Sequence, residues 1–269
     1  MEDERLIPVS PRHAVLLSRE YLTFVDTAPQ RDYVVRTIAK RQVGAMTLMA
    51  GDLVIVSAET RAAFPLAEKY PLHFRKSYFP GQLHGDPKDE FTNHTRASEL
   101  IDIPPPIGHT PNTFRSCLLP GLPYSRVSPF GAEPQTANIA AAEKLPLAAA
   151  AGLWRLGEEA LAKLMSLQQG GLSHGDAELH NFIVCPTPLE LVLIDFEGSV
   201  EQKTVSEEAW EKRCALDLEP LLREAVYLQC ALGKQEGWLA QLSFERMPEL
   251  VKDLDQFQRA IALRQSVSG

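Results

Sequence analysis

GLSHGDAELHNFIV (Gly171–Val184) packs His174, Asp176, Glu178, His180 and Asn181 into one short run and then turns apolar. Two apolar runs follow its polar half, NFIVC and LVLIDF, separated by PTPLE. Prolines between two apolar runs mark a turn, so the pattern predicts a small β-hairpin. In an antiparallel pair Asn181 starts one strand and Asp195 ends the other, and both fall at the same end. Asp176 sits in the loop that leads into that end. Three oxygen-bearing side chains are therefore expected to converge.

Such a set suits phosphoryl transfer from a nucleotide. Mg²⁺ is hard, takes oxygen ligands, and is held by one or two carboxylates plus substrate phosphates. Asn181 and Asp195 are the expected metal ligands, and Asp176 remains to accept the proton of an attacking hydroxyl. A different chemistry would use His174, Asp176 and His180 as a 2-His-1-carboxylate set for an oxygenase or hydrolase. That set takes its second histidine from a distant strand, and it leaves Asp195 and Lys76 without a role.

The spacing His174-Gly175-Asp176-x-x-x-x-Asn181, followed by Ile194-Asp195-Phe196, resembles the protein-kinase-like superfamily. Its H-G-D form is more similar to the aminoglycoside and choline phosphotransferases, and to lipopolysaccharide core kinases, than to protein kinases with H-R-D and D-F-G. The resemblance implies an α+β, two-lobed protein-kinase-like fold. It would have a small β-rich N-lobe, and a helical C-lobe carrying the catalytic-loop hairpin. It also implies ATP and Mg²⁺ as cofactors and a hydroxyl-bearing acceptor, whether small molecule, glycolipid sugar or protein. Asp176 would be the catalytic base, Asn181 and Asp195 the metal ligands, and His174 a brace for the loop.

Other segments resemble the family too. Lys76 ends FRK on a strand, where the family places its phosphate-pairing lysine. Glu90 opens the next helix and would pair with it, with Glu99 as the competing choice. SCLLPG resembles the hinge, where the backbone of Ser116, Cys117, Leu118 and Leu119 would meet adenine. Asp217, in ALDLEPLLREA, would hold the catalytic loop's backbone. The resemblance covers roughly residues 70 to 230. The departures are a missing G-x-G-x-x-G, for which Gly44 and Gly51 are poor substitutes, Glu197 in place of the Gly of D-F-G, and Glu178 two residues after Asp176. The missing loop favours an alternative, a pseudokinase that binds nucleotide or regulates without turnover.

The remaining sequence sets bounds. The chain has 269 residues, 45% of them hydrophobic, and a formal net charge of −8. An acidic chain is a poor candidate for nucleic acid, whose phosphates require clustered Lys and Arg. No apolar run approaches the roughly 20 residues of a membrane helix, and the acidic N-terminus has no signal-peptide profile, so a cytoplasmic location is expected. Cys117, Cys185, Cys214 and Cys230 form no CxxC pair and are expected to be reduced thiols.

Strands are predicted at Tyr33–Ile38, Asp52–Ser57, Pro71–Phe79 and Thr113–Leu119. Helices are predicted at Lys88–Ile101, Leu145–Gln168, about 208–232 and 246–264. In the third strand His73, Arg75 and Lys76 form the interleaved polar set, and His94 is expected on a helix surface. The domain boundary is placed near Pro120, dividing 1–119 from 120–269.

Overall fold

The computed structural model describes residues 4–43, 46–79, 85–130 and 135–232. The helix expected over 246–264 lies outside them. The N-terminal region holds β1 (Glu4–Pro8), β2 (Ala14–Ser18), α1 (Arg19–Thr27), β3 (Tyr33–Val43), β4 (Met46–Ile55), α2 (Ala58–Ala63), α3 (Pro65–Lys69), β5 (Leu72–Tyr78), α4 (Pro87–Leu100), β6 (Pro106–Thr110) and β7 (Thr113–Cys117). After these come β8 (Leu122–Pro123), α5 (Tyr124–Val127), α6 (Gln135–Lys144), α7 (Leu147–Gln169), β9 (Leu172–Ser173), β10 (Phe182–Pro186), β11 (Leu189–Leu193), β12 (Val200–Glu201) and α8 (Glu207–Leu232). The protein is thus mixed α/β, β-rich toward its N-terminus and helical toward its C-terminus. No helix among the described residues is long and apolar enough to cross a membrane.

The chain divides into two compact units. The first comprises Met1–Gly121 and Ile183–Ser199, the second Leu122–Phe182 and Val200–Gly269. The β10–β11 hairpin therefore groups with the N-terminal unit, whereas the sequence had assigned it to the C-terminal part. Side-chain partners give the reason: Glu190 faces His13 and Arg12, and Phe196 packs on His94.

In the first unit an antiparallel five-stranded sheet runs in the order β3-β4-β5-β7-β6. β5 pairs with β4 and β7 without a register shift. Side chains alternate between faces along a strand. Leu72, Phe74, Lys76 and Tyr78 thus share one face, and His73, Arg75 and Ser77 the other. This corrects the grouping of Lys76 with His73 and Arg75. Gly51, opposite Lys76, lies where an added Cβ would come within 2.8 Å of the Phe74 ring. The missing side chain lets Phe74 pack closely against β4. Gly44 lies outside the described residues.

Two apolar clusters flank the sheet. One gathers Ile7, Val9, Val25, Ile55 and Leu72, beside Phe24 and Tyr33, whose rings stack at 4.2 Å. The other gathers Val54, Val56, Ala67, Tyr70, Ile107 and Cys117. Helix α4 starts where expected. The Asp86 side chain accepts the Lys88 N–H, Pro87 fills the first turn, and Asp89 and Glu90 place acids at the positive end. The helix ends before the proline run.

In the second unit α7 buries Leu153, Leu156, Ala160, Leu161, Leu164 and Leu167, a stripe at helical spacing. It spans the helix expected over Leu145–Gln168, with Pro146 at its N-cap, and the shorter α6 precedes it. Gly170 caps it, and Gly171 takes φ +76°, a conformation that glycine adopts without a Cβ clash.

Candidate active site

Lys76 is the centre of the site in the first unit. Its pleat position points the side chain at α4 and at the turn after β11. Nζ lies 2.8 Å from Asp195 Oδ1, 2.5 Å from Glu197 Oε2 and 3.3 Å from Glu90 Oε2. Tyr78, on the same face, donates its hydroxyl to Glu90 and stands 3.2 Å from Glu197. Burial alone would depress the Lys76 ammonium, but Glu90, Asp195 and Glu197 together carry it above its ordinary range. Burial pushes the Glu90 carboxyl up to about 7, against the pull of Lys76. Lys76 and Glu90 are thus brought together, while Glu99 pairs with Arg96 on the helix surface.

Asp195 adopts φ +66° and ψ +65°, a left-handed conformation that Asp tolerates better than most residues. The turn that holds it is latched from α4, where the Asn93 amide donates to the carbonyls of Phe196 and Ser199 at 3.2 and 3.3 Å. Neither Asn93 nor Tyr78 was apparent from the sequence; what the sequence did show was an acid at 197. Gly85, at φ +91°, leaves room for that acid, since a Cβ there would lie 2.0 Å from Glu197 Oε1.

His94 is not on a surface. It is buried, with Nε2 2.9 Å from the Pro104 carbonyl and ring contacts to Phe114 and Phe196 at 5.7 and 5.0 Å. The helix's polar pattern hid it, because the face turned to the sheet is only a narrow strip. Ser116 pairs with both Phe74 and Pro106, so its strand is flanked on both sides. Of the four expected hinge residues only Leu118 and Leu119 lie beyond that strand. Ser116, Cys117 and Leu119 line a cleft with His94, Pro104 and Val192–Ile194.

The second unit builds the H-G-D loop. Asp217, buried on α8, accepts the His174 N–H at 2.7 Å and the Gly175 N–H at 2.8 Å. Gly175 takes φ +84°, which a side chain would strain. His174 is buried, and its Nδ1 lies 3.3 Å from the Asp176 amide nitrogen. The Asn181 amide donates to the Asp176 carbonyl at 2.8 Å and to its carboxylate at 3.1 Å. Asp176 is itself exposed and lines a cavity with Ala177, Glu178, Leu216, Glu219 and Arg223. His180 is exposed. Among the described residues, His174, Asp176 and His180 form no three-ligand group; those that do are Glu90, Asp195 and Glu197, and His13, Cys185 and Glu190.

The cysteines Cys117, Cys185 and Cys214 are free; the Cys230 side chain lies outside the described residues. No family model and no curated protein matches the chain. Among solved structures it is similar to the crystal structure of the BubR1 kinase domain, at 12% identity and a TM-score of 0.45, over 80% of this chain and 72% of that one.

Proposed function

We propose that the protein is an ATP-dependent phosphotransferase that moves the γ-phosphate to a hydroxyl. The observation that carries this reading is the buried Lys76 ammonium held between Glu90 on the next helix and Asp195, which is far from it in sequence. A lysine paired with a helix acid and set beside a metal-binding aspartate is the arrangement that positions nucleotide phosphates in kinases.

The residues present fit a hard cation. Carboxylate oxygens of Glu90, Asp195 and Glu197 lie within 4.8 Å of one another, and oxygen is the donor that Mg²⁺ prefers. Asp195, with the neighbouring carboxylates, would hold it. Bound Mg²⁺ would neutralise charge on the phosphates. Lys76 orients the phosphates, and Glu90 keeps the ammonium in place. Asp176 takes the proton from the acceptor hydroxyl. Asn181 fixes the Asp176 carboxylate by hydrogen bond, and Asp217 fixes the loop.

A specific observation favours the second reading, a pseudokinase. Glu197 stands 2.5 Å from Lys76 and occupies the amine that phosphates would need. A thermal-shift titration with ATP, with and without Mg²⁺, on wild type and Asp195→Ala tests the main reading. Nucleotide at 100 times its Kd stabilises by about 2.7 kcal/mol. A Mg²⁺-dependent shift that disappears in the variant supports it, and no shift in the wild type rejects it. Binding without ATP consumption would establish the pseudokinase.

A further inference from the structure

A second constellation lies in the first unit, outside the nucleotide residues. His13 sits in the loop between β1 and β2, Cys185 on β10 and Glu190 on β11. All three are buried, and their ligating atoms lie within 4.8 Å of one another. We propose that His13 Nε2, Cys185 Sγ and Glu190 Oε1 bind a borderline-soft divalent cation, Zn²⁺ above all, which clasps the N-terminal loop to the hairpin.

An ordinary ion pair accounts poorly for the geometry. His13 Nε2 stands 3.1 Å from Glu190 Oε1, yet neither atom makes a hydrogen bond. The His13 side chain has no exposed surface. Buried polar atoms nearly always find a hydrogen-bond partner. Two that come this close without sharing a proton are explained by a third partner between them. Zinc binds nitrogen and carboxylate oxygen at about 2.0–2.2 Å in a tetrahedron, which sets two such ligands roughly 3.3 Å apart.

The surroundings are those of a supported ligand. Ser10 Oγ lies 2.6 Å from His13 Nδ1, and it also accepts the backbone N–H of His13 at 3.1 Å. With Nδ1–H donated to Ser10, Nε2 presents its lone pair to Cys185 and Glu190. Metal-bound histidines commonly carry such an outer hydrogen bond. Arg12 lies 3.1 Å from Glu190 Oε2, a cation that would oppose a metal, but it also pairs with Asp102. The Cys185 thiolate and Glu190 then balance the two charges of the ion, and water completes the fourth position. On binding, the Cys185 S–H bond breaks, sulfur takes the metal, and the proton passes to solvent. Nothing is oxidised or reduced. His, Cys and carboxylate donors together favour zinc over Mg²⁺ or Ca²⁺.

The test uses the full chain stripped with chelator and titrated with Zn²⁺ by calorimetry, and with Co²⁺ by absorbance. Wild type is expected to take one equivalent of Zn²⁺, to melt at higher temperature with it, and to show a thiolate-to-cobalt charge-transfer band. Cys185→Ser removes the band; Cys214→Ser leaves it. Ser10→Ala, which removes the outer hydrogen bond together with the acceptor of the Arg12 and His13 backbone N–H groups, weakens binding by about 10–100-fold. The proposal is overturned if wild type binds no ion, if its cobalt complex lacks the thiolate band, or if Cys185→Ser and His13→Gln bind as wild type does. The wild-type cobalt spectrum decides the question even if a ligand variant does not fold.

Discussion

One carboxylate on α8, that of Asp217, receives two consecutive backbone N–H groups, from His174 on one oxygen and Gly175 on the other. The H-G-D turn cannot satisfy these donors within itself, because Gly175 is left-handed and no helix or strand runs through it. Burial pushes the Asp217 carboxyl above its ordinary range, against the pull of His174 and the two N–H groups. The loop's shape is thus written into a helix more than forty residues away.

Removing that carboxylate leaves buried donors without partners. Asp217→Ala should cost about 2–4 kcal/mol, since each unsatisfied buried group costs about 1–3 kcal/mol. Amide exchange at Gly175 should accelerate more than the global loss of stability accounts for. If Gly175 stays as protected as in wild type, the pinning role is wrong.

Asp176→Ala should lower turnover by about 10²–10⁴, the usual worth of a general base, with nucleotide affinity retained. ATP consumption, followed beside a binding titration, separates the two quantities. A parallel fall in affinity would assign Asp176 to nucleotide or metal binding instead.

Glu197 competes for Lys76. Glu197→Ala should leave the ammonium to Glu90 and Asp195 and tighten nucleotide binding several-fold. Weaker binding in that variant would show that Glu197 itself serves the ligand site.

Asp32 holds a charged network on the far face of the sheet. It pairs with Arg115 at 2.6 Å and takes the Ser57 N–H at 3.0 Å. Burial resists its ionisation, but the Ser57 N–H, the Arg115 charge and the Thr60 hydroxyl outweigh it and hold the carboxyl below its ordinary 3.8. The stabilisation is therefore complete above pH 3.8 and is lost as pH falls through the lower folded value. Asp32→Ala should destabilise by about 3–5 kcal/mol, because it strands a buried Arg115. Denaturant unfolding at pH 7 measures it.

Glu224 behaves in the opposite sense. Burial lifts it from 4.5 to about 7, although Ser128 and Tyr124 hydrogen-bond to it. Its stabilising contribution is present in full below pH 4.5 and fades as pH rises through about 7. Wild type should lose ground to Glu224→Gln between pH 5 and pH 8. Equal pH dependence of the two in unfolding titrations would refute it.

Much of this was readable from local pattern. The β10–β11 hairpin, α4 with its cap and proline stop, α7 with its leucine stripe and α8 follow from spacing and from Gly and Pro, which act within a few residues. The Lys76–Glu90 pair and the Asp217 clasp were expectations that only a family resemblance implied. Several other features were not readable. The sequence signal for β5 could not say which face Lys76 takes, because its polar residues do not alternate and only pairing with β4 and β7 fixes the pleat. His94 read as surface because one buried strip on a polar helix leaves a weak periodic signal. The grip of Glu197 on Lys76 and Tyr78, the Asn93 latch, and the meeting of His13 with Cys185 and Glu190 join residues separated by much of the chain. The sequence by itself determined the strongly patterned helices and strands, α4, α7, α8 and the β10–β11 hairpin among them, and which residue types could do chemistry, because periodicity and turn preferences are local. Tertiary structure alone decided which charges share a buried space, because desolvation and Coulomb attraction depend on distances that chain order does not encode.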